Sequence, residues 1–330
     1  MNRTGPMRDA PAPFGAGLFH GPPIRHLLGL EGLARESLIE LLDSATNYRE
    51  RLRSPRWVSD ELRGLTVCNA FFEDSTRTRV SFELAEQRLG AMHTTFTTAG
   101  SSVSKGETLL DTLRVLAAMH VDLVVLRHRS PGASSFLAHH LEVGVINAGD
   151  GEHEHPTQGL LDLMTLSEAW AGRFEGRRIA IVGDVAHSRV ARSALFGLTT
   201  LGASVTICGP PTLIPAEIEA LGAKVAATIE EAMHGADAVM ALRLQRERME
   251  GGLLPSLGEY SRVWGINPER VALMKPEAVV LHPGPMNRGV EIAPEVADGH
   301  SSVIFRQVEN GVAVRCAVLT RCAAALAEAS

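Results

Sequence analysis

Apolar residues recur along this chain in two alternating styles, short unbroken runs and stripes at helical spacing. Residues 65–72 form an apolar run rich in strand formers. Directly after it, Phe82, Leu84 or Ala85, and Leu89 fall at roughly helical spacing over 80–89, with Gly90 as a stop. Upstream, a helix is predicted from Ala34 toward Arg53, with Leu38, Leu41, Leu42 and Ala45 on one face. Downstream come a strand over 92–96, a helix carrying Leu109, Leu113 and Leu116, strands over 121–126 and 143–147, and a helix over 157–170 with Leu160, Leu161 and Met164. The same alternation continues through 178–182, 204–208, 215–221, 238–242 and 279–281. Finally Val312, Cys316, Leu319 and Ala323 recur at i, i+4, i+7 and i+11, predicting a helix that returns to pack on the first domain. Strands alternating with helices predict an α/β protein with parallel sheets.

Length sharpens this picture. At 330 residues the chain exceeds the usual size of a single core, so two domains are expected. The division falls at 24–156, completed by the C-terminal helix 311–330, and at 157–310. Residues 1–23, rich in Gly and Pro without a period, read as a flexible extension. A net charge of -6 offers no electrostatic case for nucleic acid or an anionic membrane. No stretch approaches the roughly 20 apolar residues of a membrane span, and the N-terminus has no apolar export region. Cys68, Cys208, Cys316 and Cys322 show no C-x-x-C pair and read as reduced core thiols, which with the missing export signal predicts a cytoplasmic protein.

The candidate chemistry begins where strand 65–72 turns into its helix through Ser75-Thr76-Arg77-Thr78. The first N–H groups of a helix lack intrahelical partners and carry partial positive charge, so an anion is stabilised there. Three hydroxyls add donors, and Arg77 adds a planar fork suited to phosphate oxygens. A helix cap with solvated arginines is the plain alternative. Elsewhere, Arg127 ends a buried strand, where a charge needs a partner. His153 and His155 form an H-x-H pair without a third ligand at metalloenzyme spacing. Gly183 turns a strand into a helix as in a dinucleotide-binding unit, but no second glycine follows, which weakens an NAD reading. Arg243 and Gln245 end the strand over 238–242 and point the same way by two-residue alternation, a pair suited to a carboxylate and an amide-type contact.

Ser-Thr-Arg-Thr after a strand resembles the phosphate loop of the aspartate/ornithine transcarbamoylase family, and five further motifs follow in the family's order from about Arg25 to the C-terminus. The resemblance implies two doubly wound parallel-sheet domains joined by interdomain helices, the first binding carbamoyl phosphate and the second aspartate. It implies that Ser75, Thr76, Arg77, Thr78, Arg127, His155, Gln158, Pro283 and Gly284 bind carbamoyl phosphate. Arg189, Arg243 and Gln245 would hold aspartate. Ser101 and Lys105 would enter from the neighbouring subunit of a homotrimer, with Lys105 reaching both the phosphate and aspartate. Arg77, Thr78, Lys105, Arg127 and His155 would carry the catalytic work. His153 and His128 fall outside the implied roles. Thr157, and Arg-x-Gln at 243–245, fit the aspartate branch; Gly284 departs from the leucine common there.

The implied reaction transfers a carbamoyl group from carbamoyl phosphate to the α-amino group of L-aspartate in pyrimidine synthesis, with no metal or cofactor. Thr78, Arg127 and His155 would polarise the carbonyl, while the 75–78 turn, Arg77 and Lys105 hold the phosphate. The amine's proton would go largely to the departing phosphate. A larger assembly with a regulatory or dihydroorotase-like chain is open. Alternatives are a transcarbamoylase for another amino acid and a non-catalytic scaffold member of the family.

Overall fold

The computed structural model describes residues 24–97, 107–245 and 256–329. The first helix, α1 (Arg35–Leu52), buries Leu38, Leu41, Leu42 and Ala45, the apolar stripe that the spacing predicts, and Tyr48 besides. The first sheet is built from β1 (Thr66–Phe71), β2 (Met92–Thr97), β3 (Leu123–His128) and β4 (Gly144–Asp150). Its four strands run parallel in the order β2-β1-β3-β4. Parallel neighbours need crossover helices, and α2 (Thr76–Arg88), α3 (Leu109–Ala118) and α4 (Ala133–His140) supply them.

A second parallel sheet follows, with strands in the order β7-β6-β5-β8-β9. These are β5 (Arg178–Val182), β6 (Ser204–Cys208), β7 (Lys224–Val225), β8 (Ala238–Ala241) and β9 (Val279–Leu281). Between β5 and β6 runs α6 (Arg189–Thr200). Shorter helices α7 (Ile229–Met233), α8 (Leu257–Trp264), α9 (Pro268–Val271) and α10 (Pro294–Ala297) complete this half. Residues 215–221 give only a short 3-10 turn at Ile218–Leu221.

Two long helices tie the halves together. α5 (Pro156–Ala169) starts with Pro156 in its first turn, where a missing N–H costs nothing. α11 (Ile304–Ala329) packs on α1, α5 and α2. Through them one continuous core runs from Val67 and Val125 of the first sheet, past Leu160, Leu163 and Leu319, to Ile181 and Leu195 of the second half. α11 also corrects the reading of apolar runs: over Ile304–Ala327 it is long and apolar enough to cross a membrane, yet it is mostly buried inside the protein.

Several boundaries differ from the sequence pattern for physical reasons. α2 begins at Thr76, because hydroxyl and guanidinium side chains occupy its first turn and hide its period. β3 runs on to His128, since Phe71 pairs with Arg127 and Asp150 with His128 across the sheet. α11 starts at Ile304, seven residues before the predicted 311, because Phe305 and Val308 stay exposed and break the apolar stripe.

The topology fixes where a ligand can sit. In each sheet the chain reverses direction beside a central strand, between β1 and β3 and between β5 and β8. Open parallel sheets hold ligands at the carboxyl ends of such strands. The carboxyl ends of both pairs line one cleft.

Candidate functional site

The cleft encloses about 770 Å³ between the two sheets, and its walls carry residues from both. From the first half come Glu73 to Thr78 after β1, Arg127 at the end of β3, and His155 and Gln158 where β4 passes into α5. From the second half come Ser188 and Arg189 after β5, Arg243 and Gln245 after β8, and His282 to Met286 after β9. All described residues expected at the site therefore share one wall system. Ser101 and Lys105 lie outside the described residues.

At the start of α2, Ser75 is in the N-cap position with extended backbone, and its side chain makes no capping bond. No acidic residue stands in the first turn to compete for an anion. Arg77 lies beside Gly284, which has φ +62; a Cβ built there would stand 2.8 Å from Arg77 Nη1 and 3.0 Å from Cζ. Glycine at 284 thus lets the 282–285 turn close onto the guanidinium without a side chain between them. Burial and the Arg243 guanidinium lower the pKa of Arg77, so cations from the two halves face each other across the cleft. An anion between them offsets that repulsion.

Arg127 is held by the strand end behind it: Nη1 donates to the Ala148 carbonyl at 3.2 Å, and Nε lies 3.6 Å from Glu73 Oε2. Glu73 reaches across the cleft as well, accepting from Arg189 Nη1 at 2.8 Å. Arg189 Nη1 also donates to the Gly151 carbonyl at 3.2 Å. Gly149, at φ +115, makes room for both guanidinium groups, since a Cβ there would stand 2.9 Å from Arg189 Nε and 3.3 Å from Arg127 Nη1. On the far wall, the Gln245 N–H donates to Asp184 Oδ2 at 3.2 Å, anchoring the segment after β8.

His155 is almost wholly buried, and its backbone N–H donates to Ser193 Oγ at 2.9 Å. Burial, then Arg127, Arg189 and Arg315, hold its pKa well below that of an ordinary imidazole. It is therefore neutral near pH 7, able to donate one N–H to a carbonyl oxygen without adding charge. His153, which has no role in the expected set, turns Nδ1 toward Asp150. Glu31, His153 and Glu154 bring potential metal-ligand atoms within 4.8 Å of one another. The carboxylate of Glu154, however, is already engaged by the Leu30 and Glu31 N–H groups and by Ser193 Oγ.

Sequence reasoning passed over three groups here. Glu73 lies between the first strand and the 75–78 turn, and only the fold shows that it joins arginines of both halves. Arg315 reaches the cleft from α11, nearly fully buried, with its guanidinium 4.9 Å from the Phe82 ring centroid. Burial drives its pKa down to about 10. An arginine three residues after Val312, on the apolar stripe itself, was the available signal. Asp162 lies one turn beyond Gln158 on α5 and accepts from its amide.

The arrangement supplies an open helix N-terminus with a guanidinium for one anion, N–H donors for a carbonyl, and arginines on the opposite wall for a second anion. Comparison with known proteins gives the family. Residues 25–168 match the family model for the carbamoyl-P binding domain of aspartate/ornithine carbamoyltransferase, and residues 175–322 match its Asp/Orn binding domain. The chain is 56% identical over 297 residues to the aspartate carbamoyltransferase catalytic subunit of Sorangium cellulosum, covering 90% of this chain and 92% of that one. A crystal structure of aspartate transcarbamoylase from Trypanosoma cruzi with N-(phosphonacetyl)-L-aspartic acid superposes with a TM-score of 0.80 at 30% identity, covering 91% of this chain and 98% of that one. The ornithine carbamoyltransferase of Thermus thermophilus superposes almost as well, with a TM-score of 0.79 at 28% identity, covering 91% and 99%. The fold alone therefore does not choose between the two amino acids.

Proposed function

The chain belongs to the aspartate/ornithine carbamoyltransferase family and is an enzyme that transfers a carbamoyl group to aspartate; we propose that its cleft divides this reaction between the two sheets. Carbamoyl phosphate binds at the open start of α2, where Ser75, Thr76, Arg77 and Thr78 take the phosphate. Thr78, Arg127 and His155 donate to the carbonyl oxygen, while Gln158 and the carbonyls of Pro283 and Gly284 accept from the NH2 group. Arg189, Arg243 and Gln245 hold aspartate from the second sheet. Lys105 and Ser101 complete the site from a neighbouring subunit.

Attack of the aspartate amine builds negative charge on the carbonyl oxygen while phosphate departs with its own. Preorganised donors at both places lower that barrier, and holding the two anions side by side supplies the alignment they lack in water. With His155 neutral, the departing phosphate is the acceptor for the amine's proton. The product, N-carbamoyl-L-aspartate, enters pyrimidine synthesis. The observation that carries this reading is the facing of Arg77 and Arg243 across one cleft, each at the carboxyl end of a switch-point strand.

A homotrimer fits the exposed apolar side chains Val80 and Leu84 on α2, Met92 on the edge strand β2, Val115 on α3 and Met119 just after it. Four free, buried thiols fit a reducing cytoplasm. Calorimetric titration with N-(phosphonacetyl)-L-aspartic acid tests the division. Arg77→Ala and Arg243→Ala should each weaken binding at least about a hundredfold, as loss of a charge-assisted contact in a desolvated site implies. Unchanged affinity in either variant would remove that side of the cleft from the scheme.

A further inference from the structure

Asp162 is a buried acid that the scheme above leaves without work. It is 1% exposed. Its Oδ1 accepts from Gln158 Nε2 at 2.9 Å and from Gln307 Nε2 at 2.7 Å. Oδ2 is buried and has no hydrogen-bond partner. Burial pushes the carboxyl up to about 7, against the pull of the Gln307 and Gln158 amides. With Oδ2 able to carry the proton, Oδ1 stays an acceptor in both protonation states.

From this one oxygen the bonds run to both sides of the carbamoyl position. Gln307 Oε1 accepts from the His282 N–H at 2.9 Å. His282 Nδ1 in turn accepts from the Gly284 N–H at 2.8 Å, so the imidazole proton sits on Nε2, which faces Glu291 Oε1 at 3.2 Å. An amide carries one oxygen and one NH2 group. Because Asp162 takes the NH2 groups of both glutamines, both oxygens are turned away from it. That of Gln307 holds the 282–285 turn; that of Gln158 is left for the cleft that Gln158 lines.

We propose that Asp162 is a positioning residue that fixes which end of Gln158 faces the cleft and, through Gln307 and His282, holds the 282–285 turn. In this way it makes the donor site an acceptor for NH2 and so selects a carbamoyl over an acetyl phosphate. The proposal rests on carbamoyl phosphate meeting Gln158, Pro283 and Gly284 as assigned above. A site whose acceptors are locked toward an NH2 group rejects a methyl in its place, because those acceptors lose water and gain no donor. A glutamine free to rotate discriminates less.

The test compares the inhibition constant of acetyl phosphate with the KM of carbamoyl phosphate, using the purified full chain with saturating aspartate. Asp162→Leu keeps the branched shape, in a somewhat larger side chain, but frees both amides, and should lower this ratio at least about tenfold, the worth of one well-made hydrogen bond. Asp162→Asn, whose oxygen can still take both N–H groups, should keep the ratio within about threefold. Gln307→Met releases only the turn and should give an intermediate fall. If the leucine variant does not fold, Asp162→Ser, too short to reach both amides, carries the same expectation. A merely structural acid would weaken both phosphates equally, and an unchanged ratio in an active variant overturns the proposal. Absence of turnover in the unaltered chain would instead overturn the assignment of the cleft.

Discussion

Two helices in this protein begin alike and are used differently. α2 and α6 each follow a central parallel strand, start behind a serine, and place an arginine in a first turn that contains no acidic residue. At α6, Ser188 Oγ accepts from the Ala191 N–H at 3.2 Å, while Arg189 donates to Glu73 and to the Gly151 carbonyl. At α2, Ser75 makes no capping bond. A helix that caps itself satisfies a free N–H group of its first turn from its own chain; one that leaves its cap undone keeps those donors for a ligand. The donors left over at the start of α2 support the proposal that phosphate binds there and not at α6.

Breaking the open start should have the largest effect. Arg77→Ala is expected to lose several orders of magnitude in turnover, on the order of a thousandfold or more, since it removes a charged fork from a developing anion. Steady-state kinetics with circular dichroism as the fold control decide this, and near-normal turnover would end the phosphate assignment. Next, Gly284→Ala places a methyl against the Arg77 guanidinium at a backbone with φ +62. The KM for carbamoyl phosphate should rise roughly tenfold, the strain of one left-handed residue being about 1–2 kcal/mol.

The serine pair sharpens the contrast. Ser188→Ala should cost about 1 kcal/mol in denaturant unfolding and leave the KM for carbamoyl phosphate unchanged. Ser75→Ala should do the reverse, raising that KM about fivefold, worth some 1 kcal/mol of binding, with little change in stability. Identical behaviour of the two variants would erase the distinction between the helices.

The smallest effect concerns His155, close to arginines of both walls. Its pKa is depressed in the folded chain by burial and by Arg127, Arg189 and Arg315. As pH falls below about 6.5, the unfolded chain takes up a proton that the folded chain refuses. Folding stability contributed by this site is thus complete at pH 8 and lost on acidification, by roughly 1 kcal/mol between pH 7.5 and 5.5. Unfolding of the native chain and of His155→Gln at both pH values isolates the difference. Equal pH dependence in the two would mean that the imidazole is not buried in its neutral form.

Much of this was legible in the chain itself. The apolar runs at 178–182, 204–208 and 279–281 became β5, β6 and β9 without a shift, because buried parallel strands are uniformly apolar and bounded by turns. The described site residues were found through the motif positions at strand ends, and they line one cleft. What stayed hidden depends on contacts between distant segments. Glu73 looks like an ordinary turn acid until the second sheet brings Arg189 to it. The first turn of α2 looked like a loop because its ligand-facing side chains are polar. Asp162 became informative only when α11 delivered Gln307, 145 positions away, to the same oxygen. The difference between Ser75 and Ser188 is likewise invisible in sequence, since both are serines before an arginine-bearing helix.

The most direct test of the whole account is phosphate release from carbamoyl phosphate by the purified chain, offered L-aspartate in one reaction and L-ornithine in another. The account predicts release with aspartate and none above background with ornithine, because Arg189 and Arg243 present two guanidinium groups for carboxylates and repel a side-chain ammonium. Release with ornithine, or with neither amino acid from a folded assembly, would contradict it.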